Sequence, residues 1–261
     1  MQKRIIISAL WCALLIATSV FARDTDPVKV AVGDAAVSGA KLQPYKNSWG
    51  MTVIKPDGTV LSDVGTWDDL LEVVNVNGRE CFRRTQIARY KKNGQVVATT
   101  TTINVFDRKT MAPISRSFEK HGGPAGDRSQ SITFGEKSMK IESTVDGKPV
   151  VKEIPTTAAF DFYGGLYAVL WVALPLKNGY LATLPSYSED EDHPESVSWV
   201  TFQVTGSETT EAGAKGKVQA WVVNCDSDIG NLKYWVSEDS PYIIRMDYKQ
   251  KNGPTWVLKM I

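Results

Sequence analysis

The chain has little of what usually carries out reactions. It holds two histidines and three cysteines in 261 residues. A nucleophilic mechanism needs a base beside a nucleophile, and only His121 and His193 offer an imidazole. Both sit among turn-forming residues, His121 before Gly122-Gly123-Pro124 and His193 before Pro194. Gly-x-Ser-x-Gly, His-Glu-x-x-His, Cys-x-x-Cys, the P-loop and Gly-x-Gly-x-x-Gly are all missing. With them go the hydrolase elbow, the zinc protease helix and the phosphate-cradling loops. The expectation is a protein that is not an enzyme and has no cofactor. Charge of one sign is missing too: 30 basic and 29 acidic residues leave a net charge of +1. That gives no electrostatic footprint for nucleic acid. No internal repeat and no Pro- or Ser-rich linker divides the chain, so it reads as one domain.

Two charged clusters remain. The acidic run Glu189-Asp190-Glu191-Asp192, with Glu195 beyond, has carboxylates for a hard cation but not the alternating spacing or turn glycine of a calcium loop. It reads first as a solvated loop. Arg83, Arg84, Arg89, Lys91 and Lys92 surround one hairpin and read as a solvent-facing strand edge that blocks aggregation.

What is present begins at the N-terminus. Lys3 and Arg4 precede an apolar run, Ile5 to Phe21, and Val20-Phe21-Ala22 places small or branched residues before Arg23. A charged start, an apolar core and a small-residue site make a secretory signal, with cleavage after Ala22. Bulky Trp11 before Cys12 argues against lipid attachment there. The longest later apolar stretch, Leu166 to Leu176, is 11 residues, short of a membrane span. The expectation is an exported, periplasmic or extracellular protein that is not integral to a membrane. Its organisation would be a signal peptide at 1–22, a loosely structured lead-in at 23–49 and a single domain at 50–261. Export leaves Cys81 and Cys225 in an oxidising compartment, where they form either one disulfide or two buried thiols on separate strands.

The rest is dominated by two-residue alternation and tight-turn dipeptides. Turn signals fall at Pro56-Asp57-Gly58, Asn77-Gly78, Asn93-Gly94, Asp146-Gly147, Asn178-Gly179 and Asn252-Gly253; the central residues of hairpin turns need positive φ, which Asn, Asp and Gly tolerate. Between them Tyr242, Ile244, Met246 and Tyr248 share one face of a strand, as do Trp256, Leu258 and Met260, and Val200, Phe202 and Val204. One-sided alternation with short hairpins predicts an antiparallel meander of about ten to twelve strands with one apolar face. One segment breaks the period. Phe162, Leu166, Val169, Leu170 and Ala173 recur at helical spacing after Asp161, until Pro175. This predicts a single helix over about 162–174 covering the sheet.

Aromatics are the positive clue. Seven tryptophans follow residue 22: Trp49, Trp67, Trp171, Trp199, Trp221, Trp235 and Trp256. Large rings either fill the space between a helix and a curved sheet or line a hollow for an apolar ligand. The candidate lining is Phe162, Leu166, Leu170 and Trp171 from the helix, with Phe202, Trp221, Tyr234, Tyr242, Ile244, Met246 and Trp256 from the strands.

The stretch from Val200-Thr201-Phe202-Gln203-Val204 through Ala212-Gly213, Val218-Gln219-Ala220-Trp221 and Lys233-Tyr234-Trp235-Val236-Ser237 to Ser240-Pro241-Tyr242-Ile243-Ile244-Arg245 resembles the end of bacterial secreted proteins similar to the LolA-like lipoprotein-carrier superfamily. The resemblance implies a mainly β fold: one long, strongly curved antiparallel sheet, an unclosed barrel, whose apolar hollow is covered by a helix-bearing lid. It also implies periplasmic binding of a lipid, an acyl chain or a lipoprotein. The competing reading is an envelope interaction protein that uses sheet edges and loops around a filled aromatic core.

Overall fold

The computed structural model describes residues 26–124, 126–145, 148–161, 166–188, 193–227 and 230–261. β-Branched and aromatic runs between the Asn-Gly and Asp-Gly turns become strands, because their side chains fit a pleated, half-buried surface. In chain order these are β1 (Val28–Lys29), β2 (Tyr45–Ile54), β3 (Val60–Val76), β4 (Arg79–Lys92), β5 (Gln95–Asp107), β6 (Pro113–Gly122), β7 (Arg128–Phe134) and β8 (Ser138–Val145). There follow β9 (Lys148–Pro155), β10 (Phe160–Asp161), helix α1 (Leu166–Ala173), β11 (Leu181–Tyr187), β12 (Val197–Glu211), β13 (Lys217–Ser227), β14 (Gly230–Val236), β15 (Ile243–Gln250) and β16 (Thr255–Met260). Asn77 and Asn93 adopt φ of 52° and 53° ahead of Gly78 and Gly94 at 81° and 78°, the double positive φ that a two-residue hairpin demands.

All 16 strands belong to one sheet. Two antiparallel meanders, β11 to β16 and β2 to β9, join where the last strand pairs with the second, Trp256 opposite Val53 and Met260 opposite Trp49. The sheet does not close. β9 ends one side, and at the other side β11 is flanked by the short parallel strands β1 and β10. The two sides meet through side chains instead. Asp161 of β10 accepts from Arg116 of β6 at 2.6 Å and from Asn104 of β5 at 3.2 Å, and the Phe134 and Tyr187 rings lie 5.3 Å apart. The mainly β, unclosed architecture is therefore as expected, with more strands than the turn signals resolved.

The helix is shorter and does something else. It spans two turns from Leu166, and Phe162 lies outside the described residues. Pro175 follows too closely for a further turn. Its sequence, LYAVLWVA, is apolar all round, so it has no face for water. Val169, Leu170, Trp171, Val172 and Ala173 are all buried. It is an internal plug, and among the described residues no substantial helix covers the sheet. The lead-in is also more ordered than expected. β2 begins at Tyr45, Val30, Val37 and Leu42 enter the core, and Ser38 N–H donates to Ala173 O at 2.8 Å. Cys81 and Cys225 are both buried, on β4 and β13, and no disulfide joins them.

Candidate functional site

Strand alternation sends one set of side chains to the concave side of the curved sheet. In the β11–β16 half that side is apolar and filled. Trp171 of α1 stacks 4.3 Å from Phe202 and 6.3 Å from Tyr234. Leu170, Tyr242 and Ile244 are buried in the same cluster, with Trp221, Met246 and Trp256 half-buried against it. Nine of the eleven candidate lining residues are thus brought together in one core. Leu166 belongs to α1, but its side chain, like Phe162, lies outside what is described. Trp221 is drawn toward the rim, where its Nε1–H donates to Glu238 Oε1 at 3.3 Å.

The β2–β7 half is different and unforeseen: its concave side carries a polar belt. Tyr45, Asn47, Asp69, Arg84, Gln86, Thr102, Asn104 and Arg116 are all buried. Register explains it. Asn47, Asp69, Gln86, Thr102 and Phe118 are successive cross-strand partners in one row. Tyr45, Leu71, Arg84, Asn104 and Arg116 form another. Arg84 grips Asp69 with two nitrogens at 2.8 and 2.7 Å, and Tyr45 O–H donates to the same carboxylate at 2.7 Å. Burial works against the Arg84 charge, but Asp69 and the hydrogen bonds outweigh it and raise its pKa. Burial pushes the Tyr45 phenol well above its usual value, so it stays a donor. Asn47 Nδ2, Trp67 Nε1, Gln86 Oε1 and Asn104 Oδ1 are buried without a hydrogen-bond partner among the described residues.

The solvent-facing edge expected for the basic cluster is not observed: β4 lies inside the sheet between β3 and β5, and Arg84 is buried. The signal was available in the period-two string Phe82, Arg84, Gln86, Ala88, Tyr90, whose apolar members mark the inner face. The other members do face out, paired with β3: Arg83–Glu72 at 2.9 Å, Arg89–Asp68 at 2.5 Å and Lys91–Asp63 at 2.7 Å.

The concave side is not uniformly filled. Near the turns joining β2–β3, β4–β5 and β15–β16, the inward residues Trp67, Tyr90, Met246, Tyr248 and Trp256 are only half-buried. Tyr90 and Trp256 meet edge to face at 6.2 Å, as do Trp49 and Trp67. At the seam a cleft of about 170 Å³ is lined by Phe118, Ile141 and Val150 with Arg128, Gln130 and Lys152. His121 lies on the exposed β6–β7 hairpin, its Nδ1 3.2 Å from Asp127 Oδ2. His193 lies 3.7 Å from Glu195. The acidic run 189–192 is outside the described residues. No group of three or more His, Cys, Asp or Glu side chains that could hold a metal occurs among those described.

Comparison with known proteins fits this geometry. The family described as "Protein of unknown function (DUF3108)" matches residues 61–257. The chain belongs to the DUF3108 family. The match spans β3 to β16, so the polar belt and the half-buried rings fall mostly within it. Among solved structures, the DUF3108 chain is similar to the beta-barrel-like protein of domain of unknown function DUF1849 from Brucella abortus. The TM-score is 0.57 at 12% identity, covering 87% of this chain and 98% of that one. At that identity the likeness concerns the fold alone. No curated protein matches the chain.

Proposed function

We propose that this DUF3108 protein is an exported, non-catalytic binding protein that takes an amphipathic ligand, a lipid or acyl chain, at the open end of its concave face. The observation that carries the reading is the graded burial of the inner face. The interior beside α1 is solid, while Trp67, Tyr90, Met246, Tyr248 and Trp256 keep partly exposed apolar surface at the turn end. A chain lying on those rings would gain about 0.8 kcal/mol for each methylene buried. The indole N–H of Trp67, at the mouth and without a hydrogen-bond partner among the described residues, would favour a ligand with a polar group over a pure hydrocarbon, because an unmet buried polar atom is costly. The resemblance to lipoprotein carriers supports the same ligand class. The core is filled, so the ligand would occupy the mouth and not the deep hollow expected from sequence. The charged start and Val-x-Ala site at the N-terminus support export, and mass spectrometry of the exported protein should find a chain beginning at Arg23.

The test is organic-solvent extraction of purified protein, followed by tryptophan fluorescence titration with fatty acids and lipopeptides. A co-purifying lipid and a saturable change are expected. Met246→Trp, which adds volume at the mouth, should abolish the change while the protein stays folded. If no ligand is extracted and none perturbs the fluorescence, the second reading takes over. That reading is an envelope interaction protein, favoured by the solid aromatic core and the unpaired outer edge of β9.

A further inference from the structure

The turn end of the barrel has an outer surface as well as an inner one. Three hairpins adjacent in the sheet, β15–β16, β2–β3 and β4–β5, project there side by side. Thr255 pairs with Ile54, Ile54 with Val60, and Lys91 reaches across to Asp63 at 2.7 Å. On these tips four aliphatic residues are open to water: Val60 at 57%, Leu61 at 40%, Val96 at 51% and Val97 at 46% exposure. They are interleaved with Lys55, Lys91, Lys92, Lys249 and Lys251, against which the same tips carry only Asp57 and Asp63. The mature chain as a whole is close to neutral, so this excess of cations is local.

We infer that this end is a docking surface for anionic lipid bilayers, with the aliphatic tips entering the headgroup region and the lysines pairing with lipid phosphates. Two features select a membrane over a protein partner. Protein interfaces are depleted in lysine, whereas surfaces that lie on anionic membranes combine lysine with exposed aliphatic groups. The half-buried rings Tyr90, Tyr248 and Trp256 come next along the same strands, where Trp and Tyr sit at a bilayer interface. The inference goes beyond ligand binding and is tested separately, because co-sedimentation reads the bilayer and extraction of the vesicle-free protein reads the ligand.

The experiment is co-sedimentation of the exported protein with vesicles of phosphatidylglycerol and phosphatidylethanolamine, and with vesicles of phosphatidylcholine alone. Binding to the anionic vesicles is expected, falling steeply with salt, with little binding to the neutral ones. Replacing Val60, Leu61, Val96 and Val97 together with serine should weaken binding about tenfold or more. Reversing Lys55, Lys92 and Lys251 to glutamate should do the same, while Val151→Ser on the β9 edge should not change it. Unaltered near-ultraviolet circular dichroism shows that the variants fold. Wild-type sedimentation by the serine variant, or none by the parent protein, overturns the inference. So does a self-association of the parent that the serine variant abolishes, because the tips would then be a contact between copies. Extraction of lipid from the vesicle-free protein reads ligand binding alone.

Discussion

Arg84 and Asp69 are an ion pair with almost no contact with water, at side-chain exposures of 1% and 0%. Removing two charges from solvent is expensive, and their mutual attraction offsets that cost only while both are present. Arg84→Met should therefore cost about 3–5 kcal/mol in denaturant unfolding, because Asp69 is left charged and buried. Adding Asp69→Leu should recover most of it, leaving Tyr45 O–H as the residual deficit. If the single and double variants lose the same amount, the pair is not coupled. A second residue gives a pH signature. Burial alone would raise the Asp107 carboxyl, but the N–H groups of Thr110 and Lys109, the Thr110 hydroxyl and Arg79 hold it below the ordinary value. A depressed folded-state pKa means stability that is present above the unfolded value and lost as pH falls through the folded one. Asp107→Ala should cost about 1 kcal/mol near neutral pH. The gap to wild type should close in acid, below the usual value of about 3.9. A gap that persists there would place the effect in packing.

Among the elements, α1 shows how far a local pattern carries. Helical spacing of Val169, Leu170 and Ala173 identifies the helix, and Pro175 its end. What spacing could not convey is that both the 39–41 segment and β14 would pack against it, so that Trp171 and Val172, off the expected stripe, are buried as well. Trp171→Ala should cost about 3–5 kcal/mol, since the ring stacks on Phe202 and fills the barrel. A loss below about 1 kcal/mol would mean that the plug is dispensable and the hollow deeper than it is. The strands were legible for the same reason as the helix: Asn-Gly turns and alternation are local. The pairing within the polar belt was not: alternation places Arg84 on the inner face, but the doublet Asp68-Asp69 puts one possible partner on each face. Only the register of β3 against β4 tells that Asp69 meets Arg84 inside while Asp68 meets Arg89 outside. The open end was hidden similarly: Tyr90, Tyr248 and Trp256 alternate like core residues, and their partial exposure depends on where the sheet stops.

For the molecule as a whole, the order of strands decides where it is fragile. β16 is last in sequence yet central in the sheet, bonded to β15 on one side and β2 on the other, and it joins the two meanders. β9 is mid-chain yet forms the free edge. Its prolines reveal which amides face outward. Thr156 N–H donates to Lys137 O at 3.0 Å, which makes that opposed pair a hydrogen-bonded one. Alternation along an antiparallel ladder then puts Pro155, Glu153, Val151 and Pro149 at positions whose nitrogens point away from β8. Two of the four are already proline, the usual protection of an edge against strand addition. Val151→Pro should accordingly change stability by less than about 1 kcal/mol, since no ladder bond is lost. Val257→Pro, opposite Thr52 and Asp247, removes a bond between central strands and should cost about 3 kcal/mol or more. Because β16 joins the halves, that loss should appear in a single cooperative transition seen alike by tryptophan fluorescence and far-ultraviolet circular dichroism. Two separated transitions in the Val257 variant would mean that each meander folds on its own and that the β16–β2 pairing merely holds finished halves together.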